Sequence, residues 1–273
     1  MVKKLFKHEF LAYIRVMSIV YLILLAMATA GRIIWLFESD TIVFNIIGTF
    51  SNITYGISVA ACFGFMFVLG IVRFYKHLFT AEGYLSFTLP VTPAQHILVK
   101  VVTAVAMLVV TFVAVLLSGC IISAGELFVE ICKAAAYLWG KVYAVVSYQG
   151  ILMVIELIIL LILWCVSGLM LYYVFISIGQ LFKKNRILAA VGAYFVYYVA
   201  TQILSSILLV IIAVLGELGA LDKFLNWLGY FLPTHPYIFI HSCVGIIALL
   251  TAVFIFVEFI VVKRIITKRL NLE

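Results

Sequence analysis

The stretch VVTAVAMLVVTFVAVLLSGCIIS, Val101 to Ser123, holds no charged residue and no proline. A bilayer core about 30 Å thick is crossed by about 20 apolar residues in a helix, so this run alone can span one. Working outward from it, five further runs of similar length carry at most one charge each: Val16 to Phe37, Asn52 to Val72, Ile151 to Ile178, Ile187 to Leu215 and Cys243 to Val262. The fourth and fifth in chain order are the longest, which predicts that they tilt or project beyond the lipid. The whole composition agrees. With 273 residues, 67% hydrophobic, 11% charged and a mean hydropathy of +1.30, the chain is excluded as a soluble globular domain. The reading is an all-α integral membrane protein, a single transmembrane domain of six helices.

The charge is sorted by placing both termini on the cytoplasmic side. Lys3, Lys4, Lys7 and Arg15 then precede the first span. Arg73, Lys76 and Lys100 lie between the second and third, Lys183, Lys184 and Arg186 between the fourth and fifth, and Lys263, Arg264, Lys268 and Arg269 in the tail. Only Lys133, Lys141 and Lys223 fall outside, with Glu38, Asp40, Glu126, Glu130, Glu217 and Asp222, while Trp35, Trp139 and Trp227 sit near that boundary as an interfacial belt. The net charge of +7 therefore reads as orientation, and no nucleic-acid partner is implied. Residues 1–15 place Phe6, Phe10 and Tyr13 on one helical face and Lys4, His8 and Arg15 on the other, which predicts an amphipathic helix in the inner interface. Ala28-Thr29-Ala30 imitates a signal-peptide cleavage site, but the apolar run continues through Ile33, Ile34, Trp35 and Leu36.

Several chemistries lack their residues. Two aspartates, Asp40 and Asp222, are too few for an Asp-rich metal site, and Cys62, Cys120, Cys132, Cys165 and Cys243 show no CxxC spacing. There is no HExxH, no GxxxxGK[ST], and no glycine two residues before Ser167, so no metal, cofactor or catalytic residue is assigned, and any use of ATP falls to another chain.

All four prolines lie in two LPxxP copies, Leu89 to Pro93 and Leu232 to Pro236, outside the spans. In the first copy Thr92 is an N-cap, Pro93 the first helical residue and Gln95 the partner three residues after the cap, so a helix starts there. The outer connections carry amphipathic patterns of their own, Leu127, Ile131, Ala134 and Leu138 between the third and fourth spans, and Leu221, Phe224, Leu225 and Leu228 within the 216–242 connection before the sixth. Asn52-Ile53-Thr54 is a glycosylation sequon only in a host that glycosylates.

The inner connection, residues 73–97, is long and apolar for a loop. Its RFYKHLFTAEGYLSFTL, Arg73 to Leu89, sets Leu78, Phe79, Tyr84, Leu85 and Phe87 among Lys76, His77, Thr80, Glu82 and Gly83, and this exposes aromatic surface unless something covers it. The run Phe74 to Pro90 resembles the cytoplasmic segment between the second and third spans of ABC-2 type permeases, the membrane subunits of bacterial ABC exporters, in their Firmicutes-like form. The layout is similar along the whole chain, down to the tail ending Lys268-Arg269-Leu270-Asn271-Leu272. The resemblance implies a coupling segment whose Phe79, Glu82, Gly83, Tyr84, Leu85, Phe87 and Thr88 dock on a separate ATP-binding cassette subunit. It also implies a second permease copy or relative, and a place in a bacterial plasma membrane among its lipids. A reading of another class is a non-transporting scaffold or immunity protein that recruits a cytoplasmic partner.

Charges inside spans are costly, about 3 kcal/mol or more at the centre, so each needs a partner or a purpose. Arg32 and Glu156 lie at matched depth in the first and fourth spans and are expected to pair, with a role in passage or gating as the sharper alternative; Glu258 is read as snorkelling inward near Lys263. In the fifth span Tyr194, Tyr198, Thr201 and Ser205 share a face flanked by Tyr197 and Gln202, and in the second Gly56, Ala60 and Gly64 recur every four residues. Both patterns fit helix packing, and the resemblance makes the fifth-span stripe a candidate path lining.

Overall fold

The computed structural model describes the chain except for residues 38–40, 81, 84–87, 89, 183 and 270–273. For 127–128, 135, 138–139, 141–149 and 269 it describes the backbone alone. Seven helices follow one another: α1 (Val2–Leu36), α2 (Ile42–Phe79), α3 (Pro93–Ile122), α4 (Glu126–Gly179), α5 (Arg186–Glu217), α6 (Asp222–Thr234) and α7 (Pro236–Arg269). Among the described residues there is no strand. Six stretches are long and apolar enough to cross a membrane: α1, α2, α3, the Gly150–Gly179 part of α4, α5, and α7 as far as Lys268. The six runs read from the sequence fall on them, two overrunning the helix by one residue, at Phe37 and Ser123.

The helices outrun those runs. The stretch from Val2 to Ala30 contains neither glycine nor proline, so residues 2–15 form the first turns of α1 without a break. α2 begins at Thr41, whose hydroxyl caps the Phe44 N–H at 3.3 Å, and runs on to Phe79, so the first seven residues of the expected 73–97 loop are helix. α3 starts where the sequence placed it. The Thr92 hydroxyl accepts from Gln95 N–H, the Gln95 side chain accepts from Thr92 N–H, and Pro93 takes the first helical position. It ends in a tight left-handed turn at Ala124 and Gly125, where the Gly125 N–H reaches back to the Cys120 carbonyl at 2.8 Å. The expected short helix of the third connection is the start of α4; Leu127 and Leu138 lie outside the described side chains. The fifth connection does form its own helix, α6, along which Trp227 stacks on Phe231 with centroids 4.8 Å apart. Pro236 of the outer LPxxP begins α7.

The chain divides into two compact units, Met1–Val146 and Ser147–Asn271. In the first, α1, α2 and α3 pack on one another: α1 and α3 run side by side in the same sense, Glu9 meeting Lys100 and Tyr21 meeting Thr111, and α2 runs opposite to both. Their core is Tyr13, Met17 and Leu24 from α1, Cys62 and Met66 from α2, and Met107 from α3, all nearly inaccessible. Two hydroxyl pairs cross it: Tyr21 to Thr111 at 2.7 Å and Tyr55 to Ser118 at 2.8 Å. Thr111 and Ser118 spend their single proton on the carbonyls of Met107 and Val115, so in each pair the tyrosine donates. In the second unit, Tyr172 and Phe175 of α4 meet Tyr194 of α5 at ring distances of 5.7 and 5.5 Å, and α6 packs on α7. Gly179 lets the start of α5 come close: a side chain there would lie 2.5 Å from the Arg186 carbonyl.

Candidate functional site

The site is built where the N-terminal part of α1, the C-terminal part of α2 and the start of α3 meet. Glu9 follows the same helical face as Tyr13 and Met17, spaced four residues apart, so it points into the unit and is only 5% exposed. A buried carboxylate is tolerable when several donors satisfy it. Arg73 of α2 supplies two, its Nε at 3.2 Å and Nη2 at 2.8 Å from Glu9 Oε2. The other oxygen, Oε1, takes Lys100 Nζ of α3 at 2.9 Å and His77 Nδ1 of α2 at 3.0 Å. Lys100 is as buried as Glu9 and also reaches the Arg73 carbonyl at 3.4 Å. The Arg73 guanidinium lies over the Tyr13 ring, 5.1 Å from its centroid. Arg73 and His77 are four residues apart and so share one face of α2.

This knot joins three helices through one side chain. One carboxylate against the Arg73 and Lys100 cations leaves an excess of positive charge, and Glu82, the next acid after His77 along the chain, faces it: its Oε2 lies 3.6 Å from His77 Nε2. Glu82 is well exposed and belongs to the segment between α2 and α3, so the knot forms that segment's base. Below it Leu78 and Phe79 are buried, Phe79 packing edge-on against Phe74 with centroids 5.7 Å apart. Phe79 was expected on a docking surface. The structure turns it inward instead, because burial among the chain's own aromatics removes its apolar surface from water at once. Gly83 is buried as well, its N–H bonded to the Thr80 carbonyl at 2.7 Å, while Glu82 and Thr88 are exposed. Tyr84, Leu85 and Phe87 lie outside the described residues.

The remaining sequence candidates are dispersed. Arg32 belongs to the first unit and Glu156 to the second. Glu156 has a partner within its own unit that the sequence reading did not name: His241 Nδ1 of α7 at 2.7 Å from its Oε2. Tyr194 is stacked against α4, Tyr198 is exposed, and the hydroxyls of Thr201 and Ser205 donate to backbone carbonyls of their own helix. Gly56, Ala60 and Gly64 form an exposed strip, and side chains built at the two glycines would meet nothing within 4 Å. Glu258 leaves Oε2 buried without a hydrogen-bond partner among the described residues. No three His, Cys, Asp or Glu among the described residues are placed to hold a metal ion.

The knot was missed in the sequence because Arg73 and Lys100 were weighed as orientation charges and Glu9 was not weighed at all. Its signal was present. Glu9 is the one acid among Lys3, Lys4, Lys7 and Arg15, and it falls on the apolar face with Tyr13.

Fold and site together define an all-helical chain whose six long apolar helices are those of a multi-pass membrane protein. No protein-family model matches it, and neither does any curated protein or solved structure.

Proposed function

We propose that this chain is the permease subunit of an ATP-driven exporter of the ABC-2 type, in a bacterial plasma membrane, with both termini cytoplasmic and a separate chain binding ATP. The observation that carries the reading is the segment from Arg73 to Leu89, apolar and aromatic where a loop faces water, with its base tied into the Glu9 knot. A segment that receives force from a nucleotide-driven partner must pass it to the helices. Here Arg73 and His77 open the segment on α2, Lys100 follows it on α3, and all three hold one carboxylate of α1. Movement of the segment would thus be felt by three helices together. Glu82 and Thr88, which are exposed, would meet the ATPase together with Tyr84, Leu85 and Phe87, while Phe79 anchors the segment from inside. The exposed faces of α2 and α5, with Gly56 and Gly64 on one and Tyr198 on the other, would meet a second permease subunit.

The reading is tested by gentle purification of the wild-type chain from its native membrane. An ATP-binding cassette subunit should accompany it. If none does, the scaffold reading replaces the permease one. Reporter fusions after Ser123 or Glu217 should report the outside and those after Lys184 or Glu273 the inside; an outside report at the C-terminus would overturn the topology.

A further inference from the structure

At the end of the first unit opposite the knot, the C-terminal part of α1, the N-terminal part of α2 and the α3–α4 turn border an open cleft of about 330 Å³ lined by Arg32, Trp35, Asn52, Ile122, Ser123 and Glu126. Gly31 shapes it. A side chain there would come within 2.9 Å of Ile122 Cδ1 and 3.2 Å of Ser51 Oγ, so the Ile122 side chain would have to shift. The Trp35 indole N–H donates to Asn52 Oδ1 at 3.3 Å, which occupies the acceptor of that amide and leaves its two N–H donors without a partner among the described residues. Arg32 and Glu126 border the same cleft with opposite charges, yet they make no ion pair with each other. Neither side chain has a hydrogen bond or ion pair to any described residue. A guanidinium and a carboxylate held apart across one cleft, with an indole between helices beside them, match a ligand that carries both charges.

We infer that this cleft binds the headgroup of a zwitterionic phospholipid of the phosphoethanolamine type. The phosphodiester would take the Arg32 fork and the Asn52 amide, since a guanidinium pairs with phosphate through two parallel N–H bonds. The primary ammonium would donate to the Glu126 carboxylate and lie by the Trp35 ring, which attracts a cation. A lipid rather than a soluble zwitterion is favoured by the surroundings. Ile33, Leu36 and Phe37 beside Arg32, and Ile53 beside Asn52, are all more than half exposed at 54%, 64%, 74% and 55%, in helices apolar enough to lie in a membrane. Arg32 is about one turn from the end of α1, the depth at which headgroup and acyl chain meet. The inference is independent of the permease reading.

The test is native mass spectrometry of the full-length protein in detergent, titrated with phosphatidylethanolamine and phosphatidylglycerol of identical chains. Phosphatidylethanolamine should be retained about tenfold more strongly, the yield of one charge-assisted hydrogen bond. Glu126→Gln, a change at an exposed side chain, should erase that preference and leave phosphatidylglycerol binding unchanged. Arg32→Gln should weaken both lipids about tenfold, and Arg32→Lys should restore part of the loss. Equal retention of the two lipids by the wild type, or retention indifferent to Glu126→Gln, overturns the inference. So does competition by free phosphoethanolamine as strong as by the lipid, which would make the ligand a soluble zwitterion. The exchange Arg32→Glu with Glu156→Arg is the last arm. If it recovers the folded yield that each single reversal loses, Arg32 belongs to Glu156 and the lipid site is wrong.

Discussion

The helices of Met1–Val146 and those of Ser147–Asn271 are built from the same apolar alphabet and end up unlike. α3 buries residues along its whole length, from His96 to Gly119, and is tied to α1 by a hydroxyl pair and a buried charge knot, to α2 likewise. α5 buries none of its residues. In a membrane the lipid tails are as apolar as leucine, so apolarity alone does not bring helices together; close packing and interhelical polar bonds do. The first unit has those bonds, Glu9 to Lys100 and Arg73, Tyr21 to Thr111, Tyr55 to Ser118. α5 spends its hydroxyls on its own backbone. The difference teaches where the molecule supports itself and where it leaves surface for lipid or for another chain.

The sharpest way to break that contrast is to remove the centre of the knot. Glu9→Gln would leave Arg73 and Lys100 buried without their counter-charge, a loss of about 3 to 5 kcal/mol. Folded, monodisperse protein recovered from the membrane should fall steeply. The matching change in the second unit, Glu156→Gln opposite the partly exposed His241, should cost much less. Equal losses from the two would erase the distinction between the units.

A smaller effect sharpens it. Tyr21→Phe and Tyr55→Phe each delete one interhelical hydrogen bond, worth about 0.6 kcal/mol and at most about 1.7 in membrane helices. Unfolding in mixed micelles should register each of them, whereas Thr201→Val in α5, whose hydroxyl bonds only its own helix, should be silent. A Thr201→Val cost as large as the two tyrosine changes would mean that α5 is packed after all.

Much of the fold was legible because it depends on local quantities. Run length and charge located six membrane helices, and Thr92, Pro93 and Gln95 gave the start of α3 to the residue. Helix ends were harder. The chain carries no proline between Pro93 and Pro233, so nothing stopped the expected short helix after α3 from merging into α4, and nothing before Gly83 stopped α2 at Val72. The site was half legible. The aromatic segment declared itself by composition, but Glu9 gains its meaning from Lys100, 91 residues away, and periodicity within α1 could place it on the inner face without saying what it would meet there. The burial of Phe79 was not legible for the same reason: its partner Phe74 lies within its own helix, one turn and a residue back, and the packing of α2 against its neighbours decided which way it turned.

The account stands on the segment between α2 and α3, and one measurement reaches it directly. Tyr84→Ala combined with Leu85→Ala changes two residues outside every membrane helix, so insertion and the α1–α3 unit should be untouched. Interface aromatics commonly contribute about 2 kcal/mol or more each, so the ATP-binding subunit should no longer co-purify, and ATP hydrolysis that depends on this chain should fall to the background of the free subunit. If the double variant still carries a stimulated ATPase at wild-type strength, the segment is not the coupling element and the proposed function is contradicted.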